Sequence, residues 1–196
     1  MGFLGSPPNP QTLLGFPSYP LTPTHRPLYR IHEGRYGPWW FSSRSFASLR
    51  GNRFDLDAPH GTCYVAERQL GAYIERFQGF LAVPATLMRA QRISSLHVPR
   101  IFRLADCTSS LAHAWGITAE IHSSRDRLLS QSWASAFHQA GFDGVRYLAR
   151  NDPSQRLVCL ALFGATGEAS WPVAGTSRIS RRLVETASIQ FGIHVI

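Results

Sequence analysis

An arginine, a tyrosine and a glutamate stand at equal intervals in the stretch RFDLDAPHGTCYVAERQLGAYIE, with Tyr64 eleven residues after Arg53 and Glu75 eleven after Tyr64. Together they offer a forked cation suited to gripping a phosphate or carboxylate, an aromatic ring with a hydroxyl, and a carboxylate. Equal spacing alone carries no weight, but the punctuation between the three residues does. Ala58-Pro59-His60-Gly61 is a turn signal, Thr62 to Ala66 alternates like a short strand, and Arg68 to Leu81 carries helical periodicity. A strand-to-helix unit of this kind brings cation, hydroxyl and carboxylate toward one side of a sheet. On the helix, Leu70, Tyr73, Ile74, Phe77 and Leu81 form the apolar stripe, and Glu75 falls on the other side of the wheel. That placement reads as a solvated glutamate unless a second layer, such as an active-site cleft, covers it.

The chain that must position these residues has 196 residues, 44% of them hydrophobic, enough for one domain with its own core. Charged residues are sparse at 16%, yet the formal charge is +8, and every basic residue is arginine. Without a lysine there is neither a Schiff-base lysine nor a P-loop lysine. Arginine throughout suits two-pronged anion gripping, and a GC-rich genome would produce the same bias for no chemical reason. Cys63, Cys107 and Cys159 lie in apolar runs without CxxC spacing, which indicates neither a disulfide framework nor a zinc ribbon and fits a reducing cytoplasm. The eight histidines show no HExxH or clustered metal-ligand spacing, so no metal is expected. The sequence shows no signal-peptide pattern and no apolar run approaching about 18 residues, so a membrane span is not expected.

In chain order, residues 1–27 read as a proline-rich arm, either a mobile tail or a segment lying along the domain through Leu13, Leu14, Phe16 and Tyr19. A single domain is expected over 28–196. Leu28 to His32 reads as its first strand, with Arg30 on the face opposite Tyr29 and Ile31. Trp39-Trp40-Phe41 is either core or a platform on which a flat ring stacks. Strands are expected over 99–105, 117–122, 142–148 and 157–163. Helices are expected before Gly116, over 127–140, and around Arg178, Arg181 and Arg182, with a closing strand over 191–196. Asn151 to Ser154 reads as a turn. Without regular βαβ alternation, the fold class is α+β.

LYR at 28–30, RFD at 53–55, CYVA at 63–66, Glu75, and GFDGVRY at 141–147 followed by LVCLALF resemble the RES-domain family, named for an Arg, a Glu and a Ser. The resemblance runs from about Leu28 to Gly164. It implies the toxin half of a bacterial RES–Xre toxin–antitoxin pair, with an ADP-ribosyltransferase-like mixed β-sheet core, flanking helices, and NAD as substrate. Members break the nicotinamide–ribose bond and hand the ribosyl carbon to water, phosphate or a protein. Carried onto this chain, the resemblance makes Glu75 the catalytic carboxylate. Arg30 and Arg53 would hold the pyrophosphate and ribose, and Tyr64 would pack on the nicotinamide or its ribose. A carboxylate suits this chemistry because positive charge develops on the sugar as the bond breaks. In one departure, Ala149 occupies the expected serine position, with Ser130, Ser132 or Ser154 as possible substitutes.

The leading expectation is therefore an NAD glycohydrolase or phosphorylase in the cytoplasm, restrained by an Xre-type antitoxin that meets the proline-rich arm or the basic C-terminal helix. A protein ADP-ribosyltransferase, an inactivated homologue kept as a binding protein, and a nucleic-acid-binding module using arginines with Trp39-Trp40-Phe41 stand beside it. A homo-oligomer is left open.

Overall fold

The computed structural model describes residues 3–24, 26–44 and 51–196. Its strands are β1 (Ser18–Leu21), β2 (Leu28–Glu33), β3 (Trp40–Phe41), β4 (His60–Ala66), β5 (Ala82–Val83), β6 (Gln91–Leu96), β7 (Phe102–Asp106), β8 (Gly144–Leu148), β9 (Val158–Ala165), β10 (Gly167–Glu168), β11 (Val173–Ser177) and β12 (His194–Val195). Its helices are α1 (Gln69–Arg76), α2 (Ala85–Ala90), α3 (Glu120–Ser123), α4 (Arg127–Gln139) and α5 (Arg181–Phe191). Eight strands make one mixed sheet in the order β1-β7-β8-β9-β4-β2-β6-β11. Within it β7 and β8 run parallel and the other neighbours antiparallel. The class is α+β, as expected.

Side-chain alternation on β9 shows how the sheet separates two cores. Cys159, Ala161 and Phe163 point to the face covered by α1 and α4, where Tyr73, Ile74, Trp133 and Phe137 are buried. Leu160 and Leu162 point the other way, onto Trp39, Phe41 and Phe102, with Trp171 packed against them. Trp39 and Phe41 are thus core residues, whereas Trp40, the alternate residue of β3, is only partly buried.

The proline-rich arm is docked, which corrects the mobile-tail expectation. Pro10–Gly15 forms a 3-10 helix, Leu13 and Phe16 are buried, and Phe16 stacks on Phe137 at 4.8 Å. β1 then completes the sheet edge by pairing with β7. Burying these apolar side chains outweighs the flexibility that prolines and glycines suggest.

Three further expectations change. Ile117 to His122 is not a strand: it carries α3, because Ile117 and Ile121 stand four apart and Ile121 is fully buried. Glu120 N donates to Thr118 Oγ1 at 3.3 Å, starting the turn. The helix expected over 68–81 ends at Arg76, with Gly79 at φ +84°, and Leu81 is 74% exposed. The closing strand shrinks to β12, parallel to β5.

Candidate active site

β4 pairs with β9 along its whole length and β2 with β6 along its whole length, but β2 and β4 meet at one position, Tyr29 with Ala66. The two strands part from there, and a cavity of about 340 Å³ opens between them. α1 packs across both strands, which places Glu75 and Arg76 in its wall. Arg53 comes from the loop before β4, Tyr64 from β4, Tyr147 from β8, Arg150 from the turn after β8, and Arg127 from the start of α4. Among the described residues lining the cavity are the arginines Arg30, Arg53, Arg76, Arg127 and Arg150, against one carboxylate, Glu75.

Glu75 is covered, not solvated. Tyr147 Oη donates to its Oε2 at 3.0 Å, and its buried Oε1 completes no well-formed hydrogen bond among the described residues, the Arg150 backbone N–H being a further donor that bears on the carboxylate. Burial pushes its carboxyl above the usual range, against the opposing pull of the Arg53 cation and the Tyr147 hydrogen bond. A buried acceptor left without a well-formed hydrogen bond costs about 1–3 kcal/mol, so such an oxygen in a cavity wall is poised for a ligand.

Arg53 is fixed from two sides. Its Nη1 donates to the His122 carbonyl, and its guanidinium lies 5.7 Å from the Tyr147 ring centroid. The loop beneath it is organised by Asp55, fully buried, which accepts from Asn52 N at 2.7 Å, Asn52 Nδ2 at 3.1 Å and Tyr64 Oη at 2.8 Å. Tyr64 Oη in turn accepts from Phe54 N at 2.9 Å. Burial, reinforced by the Asp55 charge, pushes the Tyr64 phenol well above its usual value. Its hydroxyl is committed to holding the Arg53 loop, and the residue lines the cavity.

Arg30 sits where alternation put it, on the sheet face opposite Tyr29 and Ile31. Its Nη1 donates to the carbonyls of Pro38 at 3.0 Å and Trp40 at 2.7 Å and lies 2.8 Å from Cys63 Sγ. It therefore bridges the parted strands and lines the cavity from beneath. Arg127 is tied to the Gly51 carbonyl at 2.5 Å. Burial and the nearby Arg53, Arg125 and Arg127 cations lower the pKa of Arg150, the signature of a strongly positive recess. His122 is lowered to about 4 by burial and by Arg53.

The structure brings Arg30, Arg53, Tyr64 and Glu75 to one cavity. Sequence reasoning missed Asp55, Tyr147, Arg127 and Arg150; RFD and GFDGVRY contain two of them, but nothing in either motif says which side chain meets Glu75. Ala149 is buried and does not line the cavity, and neither do Ser130, Ser132 or Ser154, whose hydroxyls serve their own helix or turn. Among the described residues, the serines that line the cavity are Ser42 and Ser124. Among the described residues no three His, Cys, Asp or Glu side chains converge as metal ligands, and no helix is long and apolar enough to cross a membrane.

The family model for the RES domain matches residues 27–181. The chain belongs to the RES family. The match extends past the expected limit at Gly164 to take in β11 and the first residue of α5. A solved structure with the same fold is a chain of the M. tuberculosis MbcT–MbcA toxin–antitoxin complex, at 16% identity and a TM-score of 0.63, covering 90% of this RES chain and 93% of that one. No curated protein matches the sequence.

Proposed function

We propose that this RES domain cleaves the nicotinamide–ribose bond of NAD, with Glu75 as the catalytic carboxylate. The observation that carries the reading is the buried Glu75 carboxylate, one oxygen of which completes no well-formed hydrogen bond, in a cavity whose other charged residues among those described are arginines. In NAD the positive charge begins on the nicotinamide ring and passes to the ribose as the bond breaks. A desolvated carboxylate beside that carbon stabilises the transition state more than the ground state. The cavity arginines Arg30, Arg53, Arg76, Arg127 and Arg150 complement a pyrophosphate, and the rings of Tyr64 and Tyr147 wall the departing nicotinamide away from water. The acceptor is water or phosphate, and the arginines suit either a bound pyrophosphate or an incoming phosphate ion.

The same reading makes the protein the toxin of a bacterial toxin–antitoxin pair acting in the cytoplasm, restrained by an Xre-type antitoxin. Its support is the family and the fold shared with a chain of a toxin–antitoxin complex. The exposed Arg178, Arg181 and Arg182 at the start of α5 offer an acidic partner a docking face.

Nicotinamide release from NAD, with and without phosphate, tests the reading on the wild type, Glu75→Gln and Ala149→Ser. Release that stops in a folded Glu75→Gln protein supports a working enzyme, and a rise in Ala149→Ser would show that this buried position, which does not line the cavity, acts on the site from behind its wall. Turnover retained in Glu75→Gln removes the glutamate from this role. Release that appears only in Ala149→Ser marks an inactivated homologue, and labelled ADP-ribose on lysate proteins marks a protein ADP-ribosyltransferase.

A further inference from the structure

A second chamber, also about 340 Å³, adjoins the Glu75 cavity. The two share Arg30, Ile31, Ser42 and Arg76. The far wall of the second chamber is aromatic: Tyr36 and Trp40 pack with ring centroids 5.5 Å apart and planes tilted by 41°. Tyr36 is 43% exposed, with the Arg35 guanidinium 4.9 Å from its ring centroid, and Trp40 is partly exposed, so the open ring surface of the pair is chiefly that of Trp40. β3 turns Trp39 and Phe41 into the core, which forces Trp40 to the opposite side. The platform is also fixed in place: Arg30, at the junction of the chambers, holds the Trp40 carbonyl at 2.7 Å and the Pro38 carbonyl at 3.0 Å. Arg76, at the same junction, is steadied by Gln91 Oε1 at 2.8 Å and Glu33 at 3.3 Å.

The cleft thus offers a carboxylate with aromatic walls at one end, cations in the middle, and an open aromatic platform at the other. Resting on the NAD reading above, we propose that the second chamber is a nucleobase subsite, in which the adenine stacks on Trp40 and Tyr36 while Arg30 and Arg76 face the phosphates between the two halves. The chamber makes the protein selective for a dinucleotide over a mononucleotide. Stacking is the physical basis, because a purine presents a flat polarisable face that aromatic side chains hold without reading its edge.

Calorimetric titration of the full chain with ADP-ribose and with ribose phosphate, beside nicotinamide release from NAD and from nicotinamide mononucleotide, tests this. The proteins are the wild type, Trp40→Ala, Trp40→Phe and Tyr36→Ala, the last at an exposed position in case Trp40→Ala does not fold. The wild type is expected to prefer ADP-ribose over ribose phosphate, and NAD over the mononucleotide in kcat/KM. In Trp40→Ala both preferences should fall about ten- to a hundredfold, with Tyr36→Ala less affected and Trp40→Phe retaining most of the preference. A folded Trp40→Ala or Tyr36→Ala protein with wild-type preferences overturns the subsite, as does a wild type that does not bind ADP-ribose. Base-dependent binding without nicotinamide release keeps the subsite and removes the cleavage reading. Release with no dependence on either aromatic residue does the reverse.

Discussion

A carboxylate whose burial raises its pKa destabilises the folded chain at neutral pH, and Glu75 is such a group. Between its ordinary value and its folded value the native state holds more protons than the unfolded state, so this contribution to stability falls as pH rises through that window and stays unfavourable above it. Glu75→Gln is therefore expected to melt at or above the wild-type temperature at pH 7 while losing nicotinamide release; a lower Tm would contradict the burial argument. Tyr147→Phe removes a hydrogen bond to a charged group, worth about 1.5–3 kcal/mol, and should slow release roughly ten- to a hundredfold if the bond is felt fully in the transition state. His122 has the opposite sign. Held neutral by burial and Arg53, it supports the fold fully above 6.5 and loses that contribution as pH falls from 6.5 toward about 4. His122→Gln should flatten the acid limb of Tm against pH over that interval. The sequence showed Glu75 as a carboxylate off the apolar stripe. It could not show Tyr147, which meets Glu75 from 72 positions further along the chain.

Among the elements, the loop before β4 has the closest ties to the site. Asp55 and the Tyr64 hydroxyl hold it through mutually satisfied bonds, so Tyr64→Phe leaves the Phe54 amide short of an acceptor and Asp55 short of a donor. We expect a loss of about 1–3 kcal/mol in urea unfolding and a higher KM for NAD, because Arg53 loses its foundation. An unchanged midpoint and KM would show the loop to be held elsewhere. Elements with strong apolar patterns, β4, α4 and β9, were legible in the sequence. β6 was not, because Ser94 occupies a buried position and is satisfied by His32 Nε2 at 2.9 Å and Thr176 Oγ1 at 2.7 Å, both from other strands. β11 escaped notice for a related reason: its side chains are exposed on every residue and carry no periodic signal. α3 was misread because six residues with apolar positions four apart fit either period when their partners are unseen.

For the whole molecule, the arm that looked dispensable closes the sheet edge at β7 and covers Phe137 and Phe142. Deleting residues 1–21 uncovers these rings and removes the burial of Leu13, Phe16 and Leu21, on the order of 5 kcal/mol or more in apolar area alone. A sharp fall in Tm or insoluble protein is expected, and a truncated chain melting like the full one would return the arm to the status of a tail. Beyond packing, the sheet has a mechanical character set by its missing ladder between β2 and β4. The leaf β1-β7-β8-β9-β4 and the leaf β2-β6-β11 meet like the covers of a book, with Tyr29 and Ala66 as the spine and α1 lying across both. An anion gripped by Arg53 and Arg150 from one cover and Arg30 from the other would act as a clasp, stilling the breathing of the leaves. The facing margins of β2 and β4 should then exchange their amide hydrogens more slowly once a nucleotide is held between them.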